Sequence, residues 1–236
     1  MTELIKVENI EVWGFEHAIR GMRNPLNSWD KSDSIKCYAN RNCPGICKNN
    51  SCGLCVGDAD LDLMKRLFNA GTEHRKYLRQ IFVSMDITAP LYWWKEFDTY
   101  KFVLPDPAHI DSNSCSTMHK IAAKPFEMSD FSHEHLLVNE KLEMVIQWLN
   151  DYREIYVNWD DSLNYIDDYG NVVKKKDIWW QMIQLLPSSY NQRRTVTMNY
   201  ENVFSIIKQR SGHKLDEWNE FVEILKTLPY VKEISE

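Results

Sequence analysis

The sequence predicts an α+β fold. Apolar residues recur at helical spacing in several separated segments, while shorter segments alternate as strands do. These helices and strands do not follow the regular βαβ order that a parallel sheet requires. The third observation is bulk: 236 residues with 44% hydrophobic content can bury a substantial core. The expected organisation is one domain over residues 1–236, interrupted by a Cys-rich insert over residues 36–56.

Residues Ile5–Trp13 alternate, with Ile5, Val7 and Ile10 as candidates for one face of a strand. In Gly14–Met22, Phe15, Ala18, Ile19 and Met22 give a helical stripe, and Asn24-Pro25 ends it. Residues Asn27–Cys55 are polar and rich in Asn, Ser, Gly and Cys, which predicts a loop or small insert. A helix restarts over Gly57–Asn69, where Asp58 and Asp60 suit the first turn. Glu73–Arg79 reads as a short helix, Gln80–Ile87 as a strand, and Pro90–Tyr100 as a helix beginning at its proline.

Phe102–Ser112 holds Pro105 and Pro107 and reads as a loop. Glu134–Tyr156 has the broadest apolar stripe, running from Leu137 through Leu142, Val145, Ile146 and Leu149 to Tyr152 and Tyr156. Asn158–Lys176 is a polar excursion. Asp177–Leu185 is a Trp-rich helix closed by Pro187, and Arg193–Met198 is a strand. Tyr200–Arg210 and Leu215–Leu228 are amphipathic helices. No internal repeat or low-complexity segment is visible. The pairs of tryptophans in Leu91–Trp94 and Trp179–Trp180 exceed what a short helix face normally buries within a chain, which points to a subunit interface.

The formal net charge of −6 argues against broad nucleic-acid binding, which needs a basic surface. A local basic pocket for one phosphate remains compatible with it. No apolar run reaches membrane-span length, and the first residues lack a signal-peptide pattern, so the expected compartment is cytoplasmic. Cys37, Cys43, Cys47, Cys52 and Cys55 crowd one window, with Cys115 apart. In a reducing compartment that favours metal ligation over disulfides. Cys43, Cys47, Cys52 and Cys55 could supply four thiolates to a tetrahedral zinc. An iron–sulfur cluster would use the same ligands, and a reduced, metal-free loop is the plain alternative.

Two distant blocks carry a more specific signal. The first is Asp86–Lys101, DITAPLYWWKEFDTYK, followed by Asn113–His119, NSCSTMH. The second is Leu186–Arg210, with Leu186-Pro187, then Thr197-Met198-Asn199, then Arg210 eleven residues after that Asn. Together these resemble the signature blocks of the flavin-dependent thymidylate synthases, over roughly residues 8 to 230 of the chain. In that family a strand ending in Pro leads into a helix with Arg-Gln-x-x-Arg-His-Arg, and a loop ends in Asn-Glu-x-Ser-x-Arg-Tyr. Here Lys95, Glu96, Thr99, Tyr100 and Lys101 occupy the first frame; Ser114, Met118 and His119 replace Glu, Arg and Tyr in the second.

The resemblance implies an antiparallel sheet wrapped by helices and a homotetramer with sites between subunits. It also implies FAD and a pyrimidine nucleotide, dUMP or a relative, with one-carbon or hydride transfer. NADPH and a folate donor would enter only with full activity. The implied catalytic residue is Arg210, set against the nucleobase, where a charged guanidinium can polarise a carbonyl. Ser116, Asn113, Lys101 and Arg193 are the implied nucleotide contacts, and His74, Arg75, Arg79 and Asn199 the implied cofactor contacts. Thr99 and Tyr100 cannot replace the family's cations, and Lys101 is a point charge without the planar fork. That loss predicts weak or absent dTMP formation. The alternative is a binding or interaction protein that has kept the fold and lost the flavin chemistry.

Overall fold

The computed structural model describes residues 3–36, 54–101 and 110–236. The strands and helices, in chain order, begin with β1 (Lys6–Trp13), α1 (Phe15–Arg23), β2 (Ile35–Lys36) and β3 (Leu54–Cys55). Next come α2 (Asp58–Asn69), β4 (Phe82–Pro90), α3 (Leu91–Phe97), β5 (Asp111–Ser114) and α4 (Thr117–Lys120). The remainder is α5 (Glu140–Val157), β6 (Tyr165–Ile166), β7 (Val172–Val173), α6 (Lys175–Leu185), β8 (Asn191–Asn199), α7 (Tyr200–Arg210), α8 (Asp216–Lys226) and α9 (Val231–Ser235). The chain divides into two compact units. The larger comprises Ile5–Ile87, Glu96–Asn113 and Arg194–Glu236; the smaller comprises Met1–Leu4, Thr88–Lys95 and Ser114–Arg193.

The main sheet has the order β1-β4-β8-β5. Its central pairs run antiparallel. Thr197 meets Ser84 while Thr195 meets Asp86, so one strand descends as the other climbs. Likewise, Trp13 stacks on Phe82 and Asn9 bonds Asp86. Alternation sorts β4: Val83, Met85 and Ile87 are buried, while Phe82, Ser84 and Asp86 are half-buried on the other face. The Asp86 carboxylate accepts from Asn9 at 2.8 Å and Thr195 at 2.5 Å, tying β4 to strands on both sides. Asn9 takes φ 53°, which interrupts the two-residue alternation of β1. This is why Ile5 and Val12, not every second residue between, are the buried positions.

Helices cover this sheet within the larger unit. Phe15, Ala18 and Ile19 of α1 are buried, as are Val203 and Ile206 of α7 and Trp218, Phe221, Val222 and Leu225 of α8. Phe97, Trp218 and Phe221 form one aromatic group, with Phe97 stacked on Trp218 at 6.2 Å. The smaller unit has its own core of Ile121, Phe126, Phe131, Leu142, Ile146, Leu149 and Met182. Leu142, Ile146 and Leu149 recur at helical spacing on α5 and face it.

Most predicted elements exist, with shifts at their ends. The helix expected from Glu134 starts at Glu140, and Leu137 is fully exposed, so it is no part of the stripe. The segment before it is a turn in which Leu136 N–H donates to His133 O at 3.1 Å. Glu73–Arg79 is instead a 3-10 turn over Lys76–Gln80, and Asn158–Lys176 contains the small β6–β7 hairpin. Trp93 and Trp94 have no exposed area. They pack edge-to-face at 4.9 Å, and Trp94 Nε1 donates to Gln192 O at 2.8 Å. The Leu91–Trp94 segment therefore does not supply the expected interface, because its indoles are consumed internally. Trp180 is 42% exposed and stays available. Of the cysteine insert, Cys37, Cys43, Cys47 and Cys52 lie outside the described residues; its base, β2 paired with β3, is described.

Candidate functional site

Helix α7 organises the larger unit's polar groups. Asn199 caps it: its Oδ1 accepts from Asn202 N–H at 3.0 Å, and the Asn202 side chain answers to Asn199 N–H at 3.2 Å. Both residues are buried, so the Asn199 side chain is committed to the cap. The helix then presents Glu201 in its first turn and Arg210 in its last, about 14 Å apart along the axis at 1.5 Å per residue.

Glu201 is the partner of Arg75. Arg75 Nη2 donates to Glu201 Oε1 at 2.6 Å, and the guanidinium lies 5.2 Å from the Phe68 ring centroid. Tyr77 is buried beside this pair and donates to Met64 O at 2.9 Å. Burial pushes the Tyr77 phenol far up; Arg75 pulls it down and Glu201 pushes it up.

At the other end, Arg210 sits in a cage. Its Nε donates to the Tyr100 hydroxyl at 2.6 Å and its Nη1 to Glu96 Oε2 at 2.7 Å. The guanidinium lies 4.5 Å from the Trp218 ring centroid and 5.2 Å from that of Tyr100. Trp218 Nε1 donates to the same Glu96 oxygen at 3.1 Å. His213 Nε2 stands 2.7 Å from Arg210 Nη1, while its Nδ1 accepts from Leu215 N–H at 3.1 Å. Burial raises the Tyr100 phenol, Arg210 opposes this, and Glu96 adds to it; the group stays protonated at neutral pH.

The third feature is a cavity of about 660 Å³ between α1, α2 and the Lys76–Gln80 turn. Lys31, Arg66, His74 and Lys76 line it, with Glu73 as an opposing carboxylate on its wall and Arg66 Nε donating to Asp62 Oδ2 at 2.9 Å. Arg23 also reaches it but is neutralised by the buried Asp60, which accepts from its Nε at 2.6 Å. The volume falls in the range of small-molecule sites, and the excess of cations suits an anion.

The predicted residues scatter over these features. His74 is exposed and lines the cavity; Arg75 is held by Glu201; Arg79 is half-buried in the same turn. Of Lys101 only the backbone is described. Asn113 is exposed on β5 in the larger unit. Ser116 and Arg193 belong to the smaller unit and are both exposed. Ser116 caps α4 and its hydroxyl lies 2.6 Å from His119 Nδ1. Arg194, by contrast, pairs with Asp98 at 2.9 Å, as alternation along β8 requires. Sequence reasoning missed Lys31 and Arg66 in the cavity and Trp218 and His213 in the cage. These stand far from the signature blocks, and no local pattern links them. Glu96 was legible only as an acid in a Gln position.

Cys55 is half-buried and Cys115 is exposed. Among the described residues no group of three or more His, Cys, Asp or Glu is placed to hold a metal. None of the described helices is long and apolar enough to cross a membrane.

No known family model matches the sequence. No curated protein matches it either. Solved structures do. One is a flavin-dependent thymidylate synthase of Helicobacter pylori complexed with FAD and dUMP: TM-score 0.60, 15% identity, covering 98% of this chain and 96% of that one. A second structure of the Helicobacter pylori enzyme with FAD and dUMP gives TM-score 0.58 and 14% identity, covering 98% and 99%. Near-complete coverage in both directions, with the antiparallel sheet and its helices in place, gives this chain the fold of the flavin-dependent thymidylate synthases.

Proposed function

We infer that the chain is a divergent thymidylate synthase-like protein that binds FAD and a pyrimidine deoxynucleotide such as dUMP. The observation that carries this is the 660 Å³ cavity with Lys31, Arg66, His74 and Lys76 on its walls. It lies in a chain whose fold matches a synthase complexed with FAD and dUMP. Phosphate oxygens of a flavin nucleotide fit that donor set, because each charge-assisted hydrogen bond contributes about 1.5–3 kcal/mol. Bound flavin would supply the hydride chemistry; the chain's own residues would bind and orient.

In this reading His74, Lys76 and Lys31 face the flavin nucleotide, with Arg79 beside them. Arg75 and Asn199 support the neighbouring elements through Glu201 and the α7 cap. Arg210 meets the nucleobase, and Ser116, Asn113, Lys101 and Arg193 serve the nucleotide in an assembled homotetramer. Residues 1–236 act as one functional domain. Cys43, Cys47, Cys52 and Cys55 hold one zinc in the insert over residues 36–56.

A non-catalytic binding role is the second reading, and the Arg210 cage favours it. A guanidinium whose Nε and Nη1 are already engaged is poorly placed to polarise a substrate. Calorimetry with FAD, dUMP and dTMP tests both. We expect measurable binding of FAD or dUMP, dTMP formation weak or absent, and Arg210→Ala to weaken dUMP by about 1.5–3 kcal/mol. Lys76→Ala should weaken FAD instead. Absence of binding by all three ligands rejects the reading, and brisk dTMP formation rejects the non-catalytic one.

A further inference from the structure

Arg210 is more thoroughly engaged than a ligand-binding cation should be. Of its three guanidinium nitrogens, Nη1 donates to Glu96 and Nε to Tyr100. Only Nη2 has no hydrogen-bond partner among the described residues. Glu96 is in turn fixed by Trp218 Nε1 at 3.1 Å and lies 3.6 Å from His213 Nε2. Its side chain is 37% exposed against 16% for Arg210, so solvent reaches the carboxylate more readily than the cation.

We propose that Glu96 and Tyr100 form an internal stopper on Arg210, one that a ligand must displace to use the guanidinium fork. The proposal rests on the nucleotide reading above. A second bond parallel to one from Nη2 needs Nη1 or Nε, and therefore needs Glu96 or Tyr100 to move. Until it does, the carboxylate cancels the cation's charge at short range. An anionic ligand group is then repelled as much as attracted. The stopper weakens every ligand of this cluster, and it disfavours a phosphate more than a neutral base carbonyl. It also accounts for a carboxylate standing where the resemblance leads one to expect a neutral Gln. The amide keeps the shape of the acid but gives a hydrogen bond of roughly half the strength and no charge.

Calorimetry with dUMP on the full chain tests this, using Glu96→Gln, Tyr100→Phe and, as a surface control, Glu223→Gln, whose exposed carboxylate pairs with Lys226. Glu96→Gln should bind dUMP about tenfold more tightly, the equivalent of one net hydrogen bond released to the ligand. Tyr100→Phe should tighten it a few-fold, and Glu223→Gln should match wild type. Thermal unfolding gives the separating readout. With the stopper, Glu96→Gln lowers the melting temperature while affinity rises; a merely structural acid would move both downward. If wild type binds dUMP and Glu96→Gln binds it no better, the proposal is overturned. Should Glu96→Gln fail to fold, Tyr100→Phe decides on the same criterion. Absence of dUMP binding in every chain overturns the nucleotide reading itself, and the stopper with it.

Discussion

Asp60 shows how much one side chain can organise. It has no exposed area, yet its carboxylate accepts from Arg23 Nε at 2.6 Å, Ser32 Oγ at 2.7 Å, Ser34 Oγ at 2.6 Å and Ser34 N–H at 3.2 Å. Burial pushes its pKa up, but the bonds from Ser34, Ser32 and Arg23 and the Arg23 charge outweigh this, so the net shift is downward. A carboxyl held below its unfolded value of 3.8 adds stability above that pH, and the contribution fades as pH falls through the folded value. Asp60→Asn should therefore destabilise the protein by about 3–5 kcal/mol at pH 7, the usual cost of stranding a buried partner. The deficit should shrink in strong acid. Urea titrations at pH 7 and below pH 3.8 check both points, and an unchanged deficit across that range would contradict the charge argument.

The same carboxylate anchors an element. Ser32 and Ser34 lie just before β2, and the Ser34 hydroxyl also accepts from Gly57 N–H at 3.0 Å, just after β3. Asp33 meanwhile accepts from Ala59 and Asp60 N–H at the start of α2. The two-stranded base of the cysteine insert is thus clamped at both ends by groups outside the insert. The main-sheet core lies elsewhere, so losing the proposed zinc should leave the fold intact. Elemental analysis should find about one zinc per chain, the stoichiometry of a four-thiolate site. Cys43→Ser should lose it and speed proteolysis within residues 37–53, with the melting temperature nearly unchanged. A metal-free wild type that resists protease there would refute the zinc proposal.

Assembly belongs to the whole molecule. Trp93 and Trp94 are spent inside the chain, but α5 and α6 leave Trp148, Ile155 and Trp180 substantially exposed. Large exposed indoles are more common at interfaces than on free surfaces. We propose that these exposed side chains meet neighbouring copies in the homotetramer proposed above. Light scattering at micromolar concentration should return about four times the 28.0 kDa chain mass. A monomer would exclude sites completed by neighbouring subunits, and the nucleotide would then have to bind through one chain alone.

The sequence by itself determined most elements, because helices and strands announce themselves locally. Tyr200–Arg210 is helical over the predicted residues, and the alternation of β4 follows from its own side chains. Spacing between two distant blocks also carried the fold, since it reflects the sheet register that brings Thr197 to Ser84. Termini were less legible: the stripe through Leu137 suggested a longer helix, yet that residue is fully exposed among the described residues. The state of the candidate site was decided by tertiary structure alone. Arg210 reads as an available cation until Glu96, Tyr100, His213 and Trp218 converge on it from three separate segments. Likewise Lys31 and Arg66 join His74 and Lys76 only when α1, α2 and their neighbouring turns close around one cavity. A sequence names the groups that can form hydrogen bonds and ion pairs; which of them are already consumed depends on long-range contacts that no local pattern encodes.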